Sequence, residues 1–345
     1  MSSEAGAGPV AGRFAERLRA AEEVALGPRA VRSDRSRGRL QPEETCSLRS
    51  PFQRDRDRIV HAKAFRRLKH KTQVFIAPEG DHFRTRLTHT LEVVGISRTV
   101  ARALRLNEDL TEAVALGHDL GHPPFGHAGE EALSAALQAR TGRSFHHNQH
   151  SLRIVDRLER DGRGLNLTLE TRDGILNHTG PTPPESLEGR IVRIVDRVAY
   201  INHDIDDAVR AGVLDPVRLP QEPVELLGST ASRRIDALVH DLVEASDFAG
   251  DIVQTPRLGK AMLALRSFMF ETVYLRAENA SERRRVAHVV DALFTWFCEH
   301  PDELASGPNV DDDLETRVVD HVAGMTDRFA LRAYRDRFVP DGWAD

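Results

Sequence analysis

A histidine and an aspartate stand side by side at His118-Asp119, at the end of the apolar run Ala115-Leu116-Gly117, with Gly121-His122 directly after them. A neutral imidazole and a carboxylate from adjacent positions both reach one divalent ion when a second segment completes the site. Alone, the pair reads equally well as the polar end of a helix. Two further residues change the weighting. His89 lies on the segment just before, so two antiparallel helices can aim His89 and His118 into one cleft. Asp196 interrupts the apolar stripe Ile191-Val192-Arg193-Ile194-Val195, where an unpaired charge is costly. It requires either a cation or an ion pair with Arg193 or Arg197. His127 and Glu130 stand at i and i+3 behind Pro123-Pro124, so Glu130 can orient the imidazole and raise its pKa toward that of an acid working near neutrality. The alternative is a first-turn glutamate favoured by the helix dipole beside a surface histidine. His146, His147 and His150 share one segment but have no carboxylate at ligand spacing, which speaks against a second metal site there.

Helices must position these groups. Leu87, Leu91, Val94, Ile96, Val100 and Leu104 predict a helix of about twenty residues carrying His89, closed by Asn107 to Asp109. A helix from about Asp109 to Leu120 carries His118-Asp119 and stops at Gly121 and the two prolines, which cannot donate the ladder hydrogen bond. Further helices are predicted from Ala128 to Gly142 and from His147 to Leu158. A long one, Leu187 to Val209, carries Asp196, with Pro181, Pro183 and Pro184 in its leading loop. Asp55 to Phe75 reads as one amphipathic helix with a basic outer face, followed by a turn at Pro78 to Asp81. Beyond a linker at Pro216 to Pro223, four more helical patterns run to Arg335. No stretch alternates like a strand, no repeat is found, and the expected class is all-α.

The chain has 345 residues, 40% apolar and 29% charged, with a formal charge of −5. That suffices for a large core without disulfides, and the two cysteines, Cys46 and Cys298, read as free thiols of a reducing compartment. No apolar window approaches the length of a membrane span, and the N-terminus carries no secretory apolar region, so a cytoplasmic protein is expected. Residues 1–50 mix glycine, proline, serine and charge with little period and are expected as a mobile arm. Residues 51–84 form the basic helix and turn, 85–209 the core with the chemistry, and 224–345 a helical region for support and assembly. Between Arg54 and Lys71, eight Lys/Arg face two Asp. Such a face suits solvent, a subunit interface, an effector nucleotide or nucleic acid. Sparse aromatics (Phe52, Phe65, Phe75) weaken the single-strand reading.

The order His89, His118-Asp119, Asp196 resembles the metal-dependent phosphohydrolases named for their His-Asp pair, an all-α superfamily. More narrowly, five blocks look like the bacterial dGTPase-like deoxynucleoside triphosphate triphosphohydrolases. They are Pro51 to Arg58, Phe65 to Phe75, Arg84 to His89, His118 to His127 and Asp196 to Asp204. The blocks cover much of residues 51 to 209, whereas the C-terminal 120 residues match only in helical character. The resemblance implies that His89, His118, Asp119 and Asp196 hold a divalent metal (manganese, magnesium or iron) that polarises the α-phosphate and holds an attacking water. It implies His127 as acid/base with Glu130 assisting, and Arg86, His122, Arg197 and His147 as phosphate ligands. Tyr200 would pack on the sugar and disfavour a 2′-hydroxyl, unless it is ordinary core. Where some relatives carry His-Glu, this chain has His147-Asn148, so Glu130 is left as the carboxylate there. The resemblance further implies a homo-oligomer, with a nucleotide effector at a subunit boundary in some members. The competing expectations are a related phosphohydrolase acting on a nucleoside monophosphate or (p)ppGpp, and a nucleotide-sensing or DNA-binding module.

Overall fold

The computed structural model of the chain describes residues 13–73, 84–274, 277–304 and 311–340. Among them the only strand-like pairings are two isolated bridges, Arg39 with Thr168 and Thr72 with Thr85, and the class is all-α as expected. The N-terminal part contributes α1 (Phe14–Ala25), α2 (Pro51–Val60) and α3 (Lys63–Arg67). The centre is built from α4 (Arg86–Ala103), α5 (Glu108–Gly117), α6 (Gly126–Thr141), α7 (His147–Arg153), α8 (Leu169–Asn177) and α9 (Leu187–Arg210). The C-terminal part adds α10 (Gln221–Leu227), α11 (Ala231–Ala249), α12 (Pro256–Met269), α13 (Ala277–Glu299), α14 (Leu314–Ala323) and α15 (Asp327–Phe338). No helix among the described residues is long and apolar enough to cross a membrane.

Local chemistry sets the ends of the helices that matter. A reciprocal cap between Thr85 and Thr88 opens α4 one turn before His89. The Asn107 side chain accepts from Leu110 N at the start of α5, and Ser186 does the same for Gly189 N in α9. Helices α4, α5 and α9 pack on one another, with α2 and α8 against α5. Ile59, Val93, Leu110, Val114, Ile175 and Val192 are fully buried between them. A second core joins the later half of α9 to α10, α11 and α12 through Val198, Ile201, Leu238 and Leu265. A third joins α6 to α13, α14 and α15 through Leu133, Leu293, Phe294 and Val318. The functional cleft lies where the three meet.

Three expectations need correction. The single helix expected from Asp55 to Phe75 is broken at His61-Ala62, because the Glu159 carboxylate accepts from Lys63 N and Ala64 N and starts a new helix there. The turn at Pro78 to Asp81, with Val74, Phe75 and His82, lies outside the described residues. The stretch expected as an arm is, from residue 13 onward, held to the core by buried polar ties. Val31 N donates to Glu188 Oε1, Val31 O accepts from Asn107 Nδ2, and Arg39 donates to Asp55, Pro51 O and Asn166 O. Hydropathy cannot display such ties. The basic face, finally, is partly engaged within the chain. Arg54 and Arg58 share Glu43 with Arg39, Arg56 shares Asp57 with Arg49, and Lys71 is buried.

Candidate metal centre and catalytic cleft

His89 sits one turn into α4, His118 and Asp119 follow the end of α5, and Asp196 lies in the middle of α9. Ligand atoms of His89, His118 and Asp119 all fall within 4.8 Å of one another. Asp196 Oδ1 stands 3.0 Å from His89 Nε2 and 3.8 Å from His118 Nε2. The four residues taken from the sequence are therefore together, although Asp196 is the most open of them.

Whether they suit a cation is decided at His118. Its Nδ1 lies 2.6 Å from Ala115 O, and a carbonyl can only accept, so the proton is on Nδ1. The other ring nitrogen, Nε2, is buried without a hydrogen bond, facing Asp119 Oδ1 at 3.5 Å. An orphaned buried nitrogen beside two carboxylates is accounted for when a cation occupies the space between them. The donor set of two imidazoles and two carboxylates fits a divalent ion of the first transition row or magnesium. Burial alone would raise both carboxyls, but the neighbouring histidines, with Arg86 at Asp119, override it and hold both below the usual carboxylate range.

Beyond this centre the cleft is cationic. Arg86, at the first position of α4 and 1% exposed, donates from Nη1 to Asp119 Oδ2 at 2.7 Å. Its Nε and Nη2 are buried without partners, and the residue forms part of the cleft wall. Arg86 thus braces Asp119 and places a cation beside the cleft. His122 is buried, stacks on His147 at 4.0 Å and approaches Asp119 Oδ1 at 3.5 Å. Burial first, then Arg86 and His147, drive its pKa well down, so it stands neutral. His127 opens α6 with 67% of its side chain exposed to the cleft, and Glu130 Oε2 lies 3.7 Å from its Nδ1.

Glu130 binds a second histidine more tightly. Its Oε1 accepts from His147 N at 2.8 Å and lies 2.9 Å from His147 Nδ1. The far side of that ring, Nε2, is 3.1 Å from His178 Nε2, while His178 Nδ1 donates to Ile175 O. Both nitrogens of His147 are therefore donors, and the ring is an imidazolium between a carboxylate and a neutral imidazole. Burial opposes that charge, but Glu130 outweighs it and raises the His147 pKa, while burial first holds His178 at about 3. His178 was not singled out in the sequence. It caps the short helix α8, where no helical periodicity marks it.

The cleft has a volume of about 1130 Å³, just above the range of roughly 300–1,000 Å³ usual for small-ligand sites. Arg197 and Tyr200 line it from α9, Leu263 and Arg266 from α12. The Tyr200 hydroxyl accepts from Arg266 Nε at 2.7 Å, and the Arg266 guanidinium lies 4.8 Å from the Phe270 ring centroid. Arg266 belongs to the C-terminal region, to which the sequence reading assigned no chemistry.

His150, behind the cleft, offers a test of the buried histidines. Neither ring nitrogen has a hydrogen bond, and burial first, then Lys71 and Arg153, push its pKa to about 3. A base depressed on folding contributes stability in full above its unfolded value of about 6.5 and loses it as the pH falls toward 3. His150→Leu is therefore expected to lose about 2 kcal/mol less stability than the parent chain between pH 7 and pH 5, measured by urea unfolding. Equal losses in both would show that His150 does not contribute to acid sensitivity.

The HD domain profile matches residues 86–201, and that of the phosphohydrolase-associated domain matches residues 252–336. A deoxyguanosinetriphosphate triphosphohydrolase-like protein of Caldanaerobacter subterraneus subsp. tengcongensis is 50% identical over 321 residues, covering 92% of this chain and 94% of the relative. Another, from Desulfatibacillum aliphaticivorans, is 45% identical over 337 residues, covering 91% and 95%. A solved structure of a hypothetical protein from Aquifex aeolicus overlays with a TM-score of 0.47 at 20% identity, covering 82% of this chain and 70% of that one.

Proposed function

Because this chain belongs to the deoxyguanosinetriphosphate triphosphohydrolase-like proteins, a family of HD-domain phosphohydrolases, we propose that it cleaves deoxynucleoside triphosphates at the α-phosphate, releasing deoxynucleoside and inorganic triphosphate. The observation that carries the reading is the adjacency, in one cleft, of the His89, His118, Asp119, Asp196 cluster to buried, unpartnered Arg86 donors and the His147 imidazolium.

A divalent ion held by His89, His118, Asp119 and Asp196 would supply Lewis acidity at the phosphorus and a nucleophilic water. The protein supplies the rest. A triphosphate carries up to four negative charges, and Arg86, Arg197 and His147 offer cationic donors around it, with His122 as a neutral partner. His127, exposed at the mouth of the cleft, gives a proton to the 5′ oxygen as the phosphorus–oxygen bond breaks, and Glu130 restrains its ring. Tyr200, fixed by Arg266, offers its ring to the sugar. Assembly as a homo-oligomer, with an effector nucleotide at a subunit boundary, belongs to the same proposal.

The test is product analysis by ion-exchange chromatography after incubating the protein with each dNTP, singly and mixed, with manganese or magnesium. Deoxynucleoside and triphosphate appearing together support the reading. A conversion seen only in mixtures adds the effector. No consumption of any dNTP by metal-loaded protein sinks it. Tyr200→Ala is expected to narrow the ratio of kcat/KM for dGTP over GTP by about tenfold, as loss of one steric discrimination of about 1–2 kcal/mol implies. An unchanged ratio would leave Tyr200 as packing only.

A further inference from the structure

The loop between His122 and His127 has an unusual shape. Phe125 takes φ 66 and ψ 22, the left-handed region that a bulky side chain avoids, and Gly126 follows at φ 59. No side-chain cap closes α6 there, and a Cβ on Gly129 would collide with Pro124 O, so the turn is too tight to be held by ordinary packing alone. Two long-range contacts hold it instead. Phe125 N donates to Asp327 Oδ1 at 3.0 Å, and the other oxygen of Asp327 accepts from Thr72 N at 2.9 Å. Lys71 Nζ donates to His122 O at 2.5 Å and to Ala323 O at 2.8 Å. Asp327 is 8% exposed and Lys71 2%. Asp327 begins α15 and Ala323 ends α14, so one corner of the C-terminal region grips both ends of the loop.

We infer that the α14–α15 corner is part of the catalytic unit, with Asp327 and Lys71 as positioning residues that hold the Phe125 turn and so fix His122 and His127 relative to the metal centre. The inference rests on the reading of the cleft as a phosphohydrolase site. Neither residue faces the substrate side; each acts through the backbone of the loop. The corner also has an anchor that does not touch the loop. Asp320 on α14 accepts from Arg153 at 2.7 Å and 2.6 Å, which provides a control for mere loss of docking.

The experiment compares Asp327→Ala, Asp327→Asn and Asp320→Asn in the full chain. The readouts are kcat and KM for dGTP, bound manganese, folded fraction, and hydrogen exchange of the peptide spanning residues 119–130. Asp327→Ala is expected to lower kcat about a hundredfold with KM within about threefold, since a displacement near 1 Å of an acting group can cost that much. Manganese content should be unchanged, and the loop peptide should exchange faster. Asp327→Asn, which keeps one accepting oxygen, should recover about tenfold of that loss. Asp320→Asn should leave kcat within about threefold of the parent, because its charge-assisted bonds to Arg153 act on docking alone. The inference is overturned if Asp327→Ala exchanges like the parent at the loop, if its loss of activity follows its folded fraction, or if Asp320→Asn loses as much. Should the parent chain split no dNTP, the phosphohydrolase reading fails by itself. Loop exchange then decides the clamp, with faster exchange in Asp327→Ala supporting it and unchanged exchange ending it.

Discussion

Asp119→Ala is expected to lose at least about a thousandfold in kcat with dNTP and manganese, and about 3 kcal/mol of stability besides. The two losses have different origins. Asp119 Oδ1 faces His118 and His122 at 3.5 Å each, and without it the cluster gives up one of two carboxylates. Its Oδ2 receives the Arg86 guanidinium at 2.7 Å with both groups buried, so alanine strands a cation whose Nε and Nη2 already lack partners. Removing one member of a buried pair typically costs about 3–5 kcal/mol. Asp119→Asn separates the effects. An amide oxygen can still accept from Arg86, so most of the stability should return while activity does not. Activity assays, bound-metal content and urea unfolding of the two variants give the comparison. A fully active Asp119→Ala would mean that the chemistry is elsewhere.

The second large effect is expected at Glu130. With glutamine there, the carboxylate that charges His147 and restrains His127 is gone, and kcat should fall by about two orders of magnitude, the lower range for lost acid–base assistance. The same change acts on pH dependence. Burial would raise the Glu130 carboxyl, but the charge and hydrogen bonds of His147, with His127 nearby, depress it strongly; burial would lower His147, but Glu130 raises it. A depressed acid contributes stability present above its unfolded value near 4.5 and lost as the pH falls below it. A raised histidine contributes stability present below about 6.5 and lost as the pH rises through its folded value. The pair therefore stabilises most between pH 4.5 and 6.5. Glu130→Gln should be least stable relative to the parent in that window, by about 2 kcal/mol for a charge-assisted bond, and the gap should close as the pH rises through the folded value of His147. A gap that does not vary with pH would show that His147 is neutral throughout.

Much of this was legible in the residues themselves. Leu87, Val94 and Val100 recur at helical spacing along α4, and Ile191, Val195, Val198 and Ile205 along α9, so these helices and the order His89, His118-Asp119, Asp196 could be read locally. What could not be read is carried by polar contacts between distant segments. Glu159 starts α3 from almost a hundred positions away, and Asp327 meets Thr72 and Phe125 across 255 and 202 positions. Each of these residues looks locally like a solvated charge. His178 was hidden for a related reason, since a polar residue at the end of a short helix has no periodicity to mark it. The preference of Glu130 for His147 over His127 likewise depends on how α6 and α7 approach each other.

Helix α9 passes without interruption from one core into another, burying Ile191 and Val195 in the first and Ile201 and Ile205 in the second. It carries Asp196, Arg197 and Tyr200 on the stretch between. At about 1.5 Å of rise per residue, Asp196 and Tyr200 stand roughly 6 Å apart along a rod that cannot stretch. It works as a gauge. On the proposed reading, the interval between Asp196 at the metal and Tyr200 at the sugar is set by helical pitch alone, whatever the loops around it do. A one-residue deletion between them would turn Tyr200 by about 100° out of the cleft, while changes at Leu263 or Phe270 would leave the gauge untouched. Under that reading the metal-to-sugar span is fixed by the backbone, and the contacts to the base are not.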